Sequence, residues 1–93
     1  MTVEPHAARI LDRDKIGEIT TRVLADMVQR DMETLGEDVR LFLDLSLTSI
    51  NALELIMMLE DELGVELRTD ALSWSHLETL GSLTSYVADQ AGV

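Results

Sequence analysis

Few residues in this chain have side chains suited to covalent chemistry. The sequence contains no cysteine, which excludes a thiol nucleophile, a thiolate metal site and a disulfide. Its two histidines, His6 and His76, are far apart in sequence. Ser49 is the strongest candidate, because it lies in VRLFLDLSLTSINAL (residues 39–53), where alternating apolar residues give way to a helical pattern. No histidine, lysine or G-x-S-x-G motif accompanies Ser49, so a hydrolase nucleophile is not indicated.

Residues 12–19, DRDKIGEI, share some features with the start of a calcium-binding loop. Acidic residues occupy the first and third positions, and Gly17 occupies the sixth. However, Ile16 and Val23 stand at the fifth and twelfth positions, where such a loop needs oxygen ligands. The sequence therefore predicts no metal site, and a calcium-binding helical module is kept only as a third hypothesis.

The composition favours helices as the elements that position Ser49. Apolar residues make up 46% of the 93 residues but aromatic residues only 3%, whereas strand-rich domains depend on β-branched and aromatic side chains. We predict an all-α, four-helix bundle with three main helices and one short helix. A long ordered loop is expected between the first and second helices. Residues 12–93 are expected to form a single domain, preceded by a flexible leader at residues 1–11.

The first predicted helix begins near Asp12, with Asp12 or Asp14 as its cap. Its apolar face consists of Ile16, Ile19, Val23, Leu24, Met27 and Val28. Residues 31–46 then lack a helical period. Because the sequence offers no second strand for pairing, we interpret this segment as an extended loop that buries every second side chain. The alternating residues are Val39, Leu41, Leu43, Leu45 and Leu47.

The second predicted helix is capped by Thr48 or Ser49 and ends near Leu63, before Gly64. Its core stripe is Leu55, Ile56, Leu59 and Leu63, with Glu54, Glu60, Asp61 and Glu62 facing water. Leu53 and Met57 lie beside the stripe at an i, i+4 spacing, one turn after Ser49. This pattern fits either a docking patch or the edge of a wide core stripe.

The rest of the chain predicts two further helical elements. A short one lies at about residues 70–76 and includes Trp74. The last helix is capped by Thr79. Its apolar face consists of Leu80, Leu83, Tyr86 and Val87.

The formal net charge of −11 bears on the kind of partner. It argues against nucleic acid and anionic membrane surfaces, both of which select Lys and Arg. It favours protein partners with basic surfaces, whose encounter it would accelerate. Because neither a signal peptide nor an apolar run of membrane-spanning length is present, the chain is expected to be cytoplasmic.

Residues 44–67, DLSLTSINALELIMMLEDELGVEL, resemble the acyl and peptidyl carrier proteins. In that family a D-L-G-x-D-S-L segment leads into an acidic helix. The matching residues are Asp44, Leu45, Ser49, Ile50, Glu54, Leu55, Leu59, Glu60, Asp61 and Leu63. Residues 77–87, LETLGSLTSYV, resemble the last helix of the family, and the likeness extends over residues 12–90.

The resemblance implies that Ser49 receives 4′-phosphopantetheine from coenzyme A through a separate, Mg²⁺-dependent phosphopantetheinyl transferase. The thiol of this arm would carry an acyl or aminoacyl group as a thioester, so the protein would be a carrier and not an enzyme. Partners would include acyl-loading, condensing or tailoring enzymes with basic docking surfaces, and the protein would act as a monomer. The residues expected to contact these partners are Thr48, Ile50, Leu53, Glu54, Met57, Glu60 and Asp61.

The sequence departs from the family pattern at two positions. Thr48 replaces the aspartate before the serine, and Ser46 replaces the glycine. We interpret the first departure as a sign of a stand-alone carrier in a specialised polyketide, nonribosomal or fatty-acid pathway. The alternative is an acidic helical adaptor that binds a partner through Leu53 and Met57 without a covalent arm.

Overall fold

The computed structural model describes residues 12–93 and contains three α-helices. They are α1 (Arg13–Val28), α2 (Ser49–Leu63) and α3 (Leu80–Ala91). Short 3-10 helices lie at Met32–Thr34, Thr69–Ala71 and Trp74–Leu77. The predicted all-α class is confirmed, with two 3-10 helices where one short helix was predicted. The predicted leader at residues 1–11, including His6, lies outside the described residues.

Helix α1 begins where the sequence places an acidic cap. Asp12 is the N-cap, and its Oδ1 accepts the backbone N–H of Lys15 at 2.8 Å. The predicted apolar face is buried at Ile16, Val23 and Leu24. Burial of Ile16 and Val23 also places the fifth and twelfth positions of the calcium-loop-like segment in the core, where they serve packing.

The hydrophobic core lies where α1 packs against α2 and α3. The predicted stripe of α2 is buried, and so is that of α3, which confirms both. A fully buried Leu or Val contributes about 1.5–3 kcal/mol through removal of its surface from water. The buried residues of the two stripes are Leu55, Ile56, Leu59, Leu63, Leu80, Leu83, Tyr86 and Val87.

The loop before α2 differs from the predicted extended segment. Leu41 and Leu47 are buried, but Leu43 is 75% exposed, so the expectation that every second side chain is buried was wrong. The backbone N–H groups of Asp44 and Leu45 both hydrogen-bond to the carbonyl of Arg40, which folds residues 41–45 into a turn. In a turn, alternate side chains do not share one face, and Leu43 therefore projects outward.

Hydrogen bonds with the start of α3 position this loop. The carbonyls of Val39 and Glu37 accept the backbone N–H groups of Leu80 and Gly81 at 3.0 and 2.9 Å. These N–H groups belong to the first turn of α3, where a helix cannot satisfy them itself. A Cβ atom on Gly81 would lie 3.2 Å from the Glu37 carbonyl oxygen, so glycine permits this close approach. The loop and the beginning of α3 are thus one hydrogen-bonded unit.

No helix between residues 12 and 93 combines the length and the apolar character needed to cross a membrane.

Candidate functional site

Ser49 is the first residue of α2 and its side chain is exposed. Thr48, not Ser49, caps the helix: its Oγ1 accepts the backbone N–H of Asn51 at 3.1 Å. The Oδ1 of Asn51 accepts the backbone N–H of Thr48 at 3.2 Å, which completes a reciprocal capping box. The capping role that Ser49 could have filled is therefore taken by its neighbours, and its hydroxyl is left outside the cap.

The start of α2 favours an anionic group. Aligned peptide dipoles place partial positive charge at a helix N-terminus. The first turn of α2 contains no acidic side chain, and its cap, Thr48, is neutral. A phosphate attached at Ser49 would therefore meet no carboxylate within the first turn of its own helix.

Asp44 and Arg40 hold the turn that precedes Ser49. The Oδ2 of Asp44 accepts the backbone N–H of Arg40 at 2.8 Å, and its Oδ1 accepts a guanidinium N–H at 3.1 Å. The side-chain hydrogen bond from Arg40, followed by its backbone N–H, lowers the pKa of Asp44 below its ordinary value. Two residues later Ser46 adopts a left-handed conformation with φ 59°, at the position where the resembled family has glycine.

An apolar groove of about 360 Å³ begins at Ser49. One wall is formed by α2 and the other by the segment around the Trp74–Leu77 turn, so the groove runs between two elements distant in sequence. Its remaining lining residues are Ala52, Leu53, Leu72, Ser73, Trp74 and Leu77. Five of these six side chains are apolar, which makes the groove suited to a hydrocarbon ligand and not to a charged one.

His76 holds the 3-10 turn that forms the second wall. Its Nδ1 accepts the backbone N–H of Ser73 at 3.0 Å, and its ring packs against Tyr86 with centroids 4.8 Å apart. Tyr86 in turn donates its hydroxyl to the Arg68 carbonyl at 2.6 Å, and burial raises the pKa of its phenol. His76 is half-buried, and its contacts show a structural role at the groove.

The exposed face of α2 follows Ser49 directly. Leu53 is 50% and Met57 62% exposed, and Ile50 is exposed as well, so these residues do not form the edge of the core stripe. Glu54 and Asp61 are exposed beside them. Met57 and Met58 lie between the carboxylates of Glu54 and Asp61 in a shallow surface depression.

Two acidic residues of α2 instead make intramolecular contacts. Glu60 was predicted to face water, but it is half-buried, and its Oε2 accepts the backbone N–H of Leu67 at 2.8 Å. The carboxylate thereby holds the chain that leaves α2. Glu62 pairs with Arg22 of α1 at 2.6 Å and joins the two helices at the surface. Of the acidic residues predicted to contact partners, Glu54 and Asp61 are the more available.

Sequence patterns did not reveal that Ser49 and Trp74 share a groove. Periodicity describes single elements, and the packing of two elements is a tertiary property. The available signal was Trp74 itself, the only tryptophan, in a segment too short to bury it. Its indole is 66% exposed, and Phe42 packs edge-on against it with ring centroids 5.6 Å apart.

Comparisons with known proteins agree with this geometry. Residues 18–87 match the model of a family described as a phosphopantetheine attachment site. The chain is 31% identical over 70 residues to an acyl carrier protein of Lactobacillus acidophilus, covering 75% of this chain and 85% of the relative. It is 32% identical over 79 residues to an acyl carrier protein of Saccharopolyspora erythraea, covering 85% of this chain and 81% of the relative.

Proposed function

This chain belongs to the acyl carrier protein family, and from that premise we propose that Ser49 is the residue that bears its 4′-phosphopantetheine. The family holds this prosthetic group covalently, and its members are carriers and not enzymes. When attached, the group supplies a thiol that this cysteine-free chain lacks. The residues of the chain then have only to position the arm, shield its cargo and bind the enzymes that act on it.

The position of Ser49 is the observation that carries the proposal. Its hydroxyl is exposed at the first residue of α2, outside the capping hydrogen bonds of Thr48 and Asn51. An approaching enzyme can reach it without breaking the helix cap. The positive end of the helix dipole would also stabilise the phosphodiester that forms there.

The groove beside Ser49 supports an acyl cargo over an aminoacyl one. The ammonium group of an aminoacyl thioester would lose hydration among Leu53, Leu72 and Trp74 without gaining an ion pair. An apolar chain gains free energy from the same contacts. Both relatives named above are acyl carrier proteins, in agreement with this preference. We place the protein in a specialised polyketide, nonribosomal or fatty-acid pathway because of the neutral Thr48 before Ser49.

The exposed face of α2 is proposed to bind the partner enzymes. Leu53 and Met57 supply an apolar centre, while Glu54 and Asp61 supply charges for basic residues of an acyl-loading, condensing or tailoring enzyme. Thr48 and Ile50 border Ser49 and would contact any enzyme that reaches it. Glu60 would contribute less, because Leu67 already occupies its carboxylate.

Intact-mass measurement tests the assignment of Ser49. The apo-protein is incubated with coenzyme A, Mg²⁺ and a broad-specificity phosphopantetheinyl transferase, and wild type is expected to gain the mass of one phosphopantetheine. Ser49→Ala should gain none, whereas the control Ser46→Ala, which replaces an exposed serine in the loop just before α2, should be modified like wild type. Equal modification of Ser49→Ala would overturn the assignment. An unmodified wild type would favour the adaptor that binds through Leu53 and Met57 without an arm.

The cargo is tested on protein purified from its native host. Mass spectrometry of the holo-protein should detect an acyl group on the arm. An aminoacyl group would contradict the preference drawn from the apolar groove.

A further inference from the structure

A second apolar surface lies on the far side of Trp74 from Ser49. We call the exposed side chains of Leu43 and Trp74, together with the half-buried Phe42 between them and the core, the Leu43–Trp74 surface. It forms a depression of about 530 Å³, whose rim includes Arg40, Ser75 and Glu78. Leu43 and Trp74 are two of the most exposed large apolar side chains among the described residues.

Leu43 and Trp74 are not needed for packing of the core, yet both project from turns that are anchored to it. The turn at 41–45 is anchored by buried Leu41 and Leu47, and Leu43 projects from it without joining the core. The Trp74–Leu77 turn is anchored by buried Leu77 and by the hydrogen bond between Ser73 and His76. Apolar side chains on anchored turns lose little conformational entropy on binding, which is characteristic of binding hot spots.

Trp74 connects this surface to the site at Ser49. Its indole lines the groove that begins at Ser49 and also the depression that contains Leu43. On the opposite side, Leu53 lines the same groove and continues to the exposed face of α2. Ser49 therefore lies between two exposed apolar surfaces, one on α2 and one formed by Leu43 and Trp74.

We propose that the Leu43–Trp74 surface is a docking site for the phosphopantetheinyl transferase that modifies Ser49. This inference rests on the proposed attachment at Ser49. An enzyme that acts on the thiol at the end of the arm can work at a distance from Ser49. The transferase, in contrast, must bring its active site to the Ser49 hydroxyl, so its footprint covers both sides of the groove that starts there.

The charges at the rim define the complementary surface. Arg40 is paired with Asp44 at 3.1 Å, and this carboxylate offsets its positive charge at the rim, while Glu78 is exposed. The net charge of −11 of the whole chain favours a partner with basic residues, and Glu78 is the carboxylate that this rim offers to them. Tryptophan is also among the residues most enriched at hot spots of protein interfaces.

Steady-state kinetics of modification test the proposal on the full-length apo-protein. Leu43→Asn and Trp74→Ala are compared with wild type at saturating coenzyme A, with a broad-specificity phosphopantetheinyl transferase and intact mass as the readout. Loss of a hot-spot side chain is expected to raise the KM for the carrier about tenfold, while kcat stays within about twofold. Val93→Asn removes another exposed apolar side chain that lines neither depression, and should behave like wild type.

The outcomes separate this inference from the function proposed for Ser49. Wild-type KM in both variants, with normal modification of Ser49, overturns the docking site and leaves the carrier assignment intact. Absence of modification in wild type itself overturns the assignment of Ser49. Leu43→Asn keeps the test decisive if Trp74→Ala disturbs the 3-10 turn, because Leu43 lies outside the core, and circular dichroism verifies that the variant is folded.

Discussion

Thr48 and Asn51 exchange backbone–side-chain hydrogen bonds across Ser49, at 3.1 and 3.2 Å. The residue that would be modified is therefore enclosed by a cap to which its own side chain contributes nothing. This arrangement separates the stability of α2 from the modification that we propose at its first residue, and it makes the two separately testable.

Replacement of Thr48 tests this separation. Thr48→Ala should lower the free energy of unfolding by about 1 kcal/mol, because the Asn51 N–H loses its acceptor. Thr48→Asp, which restores the residue of the family pattern, should keep the cap and remain within about 0.5 kcal/mol of wild type. Urea denaturation followed by circular dichroism measures both. A loss in Thr48→Asp as large as in Thr48→Ala would show that the cap is not what Thr48 provides.

Ser46 is expected to be less favourable than the family glycine. Its φ of 59° lies in the left-handed region, which disfavours any side chain with a Cβ atom. Ser46→Gly should raise the free energy of unfolding by up to about 1 kcal/mol, after the greater entropy of glycine in the unfolded chain is included. The reciprocal control is Gly64→Ser, at φ 68° with open space around it, which should lower stability by a similar amount. Thermal melts of the two variants should shift in opposite directions.

Replacement of Thr20 by valine is expected to stabilise the fold. Thr20 is completely buried in α1, and its Oγ1 has no hydrogen-bond partner among the described residues. Thr20→Val removes the unpaired polar atom at nearly constant volume and should stabilise by about 1–2 kcal/mol. Thr21→Val is the control: its hydroxyl donates to the Gly17 carbonyl at 2.7 Å, so this change should be neutral or destabilising. If Thr20→Val melts at a lower temperature than wild type, the hydroxyl has a partner in solution.

Leu59 tests the core face of α2. Leu59 is completely buried, and Leu59→Ala should cost about 2–5 kcal/mol through lost burial and a residual cavity. Met57→Ala, two residues away on the exposed face, should cost less than about 0.5 kcal/mol. Chemical denaturation gives both values, and a loss below about 0.5 kcal/mol in Leu59→Ala would mean that the core lies elsewhere.

Tyr86 should make stability dependent on alkaline pH. Burial raises the pKa of its phenol in the folded state, so the folded protein holds this proton more tightly than the unfolded chain. The resulting contribution is fully present below about pH 10, the ordinary tyrosine value, and is lost as pH rises through the folded-state pKa. Ionisation also removes the donor to the Arg68 carbonyl.

The control for this pH dependence is Tyr86→Phe. At pH 7 its free energy of unfolding should be about 1 kcal/mol lower than that of wild type, because the hydrogen bond to the Arg68 carbonyl is absent. Above pH 10 its stability should decline less steeply than that of wild type. Parallel pH profiles for the two proteins would rule out this role of Tyr86.

The sequence predicts the helices well and the loop poorly. Asp12, Thr79 and Gly64 mark helix ends through local chemistry, and the apolar period of α2 identifies its core face without tertiary information. Leu43 shows the limit of the same method. Alternation of apolar residues does not distinguish an extended segment from a turn stabilised by Asp44 and Arg40, because both depend on hydrogen bonds that no hydropathy pattern records.

The candidate site was likewise only partly predictable. Ser49 and its surrounding motif are local in sequence and could be identified directly. The exposure of Leu53 and Met57 required the packing of α2 to be known, since pattern alone allowed two interpretations. Glu60 looked equivalent to Asp61, but the chain turns back after α2 and brings the Leu67 N–H to Glu60 alone.

The pairing of the loop with α3 has a consequence for protein engineering. Carriers are natural subjects for the exchange of segments around the serine, and residues 37–49 would be an obvious cassette. Here the carbonyls of Glu37 and Val39 accept hydrogen bonds from the first backbone N–H groups of α3. The segment 37–49 therefore depends on the start of α3 for its conformation. A chimaera that transplants this loop should also transplant residues 78–81, or the recipient will lose the support on which its serine is presented.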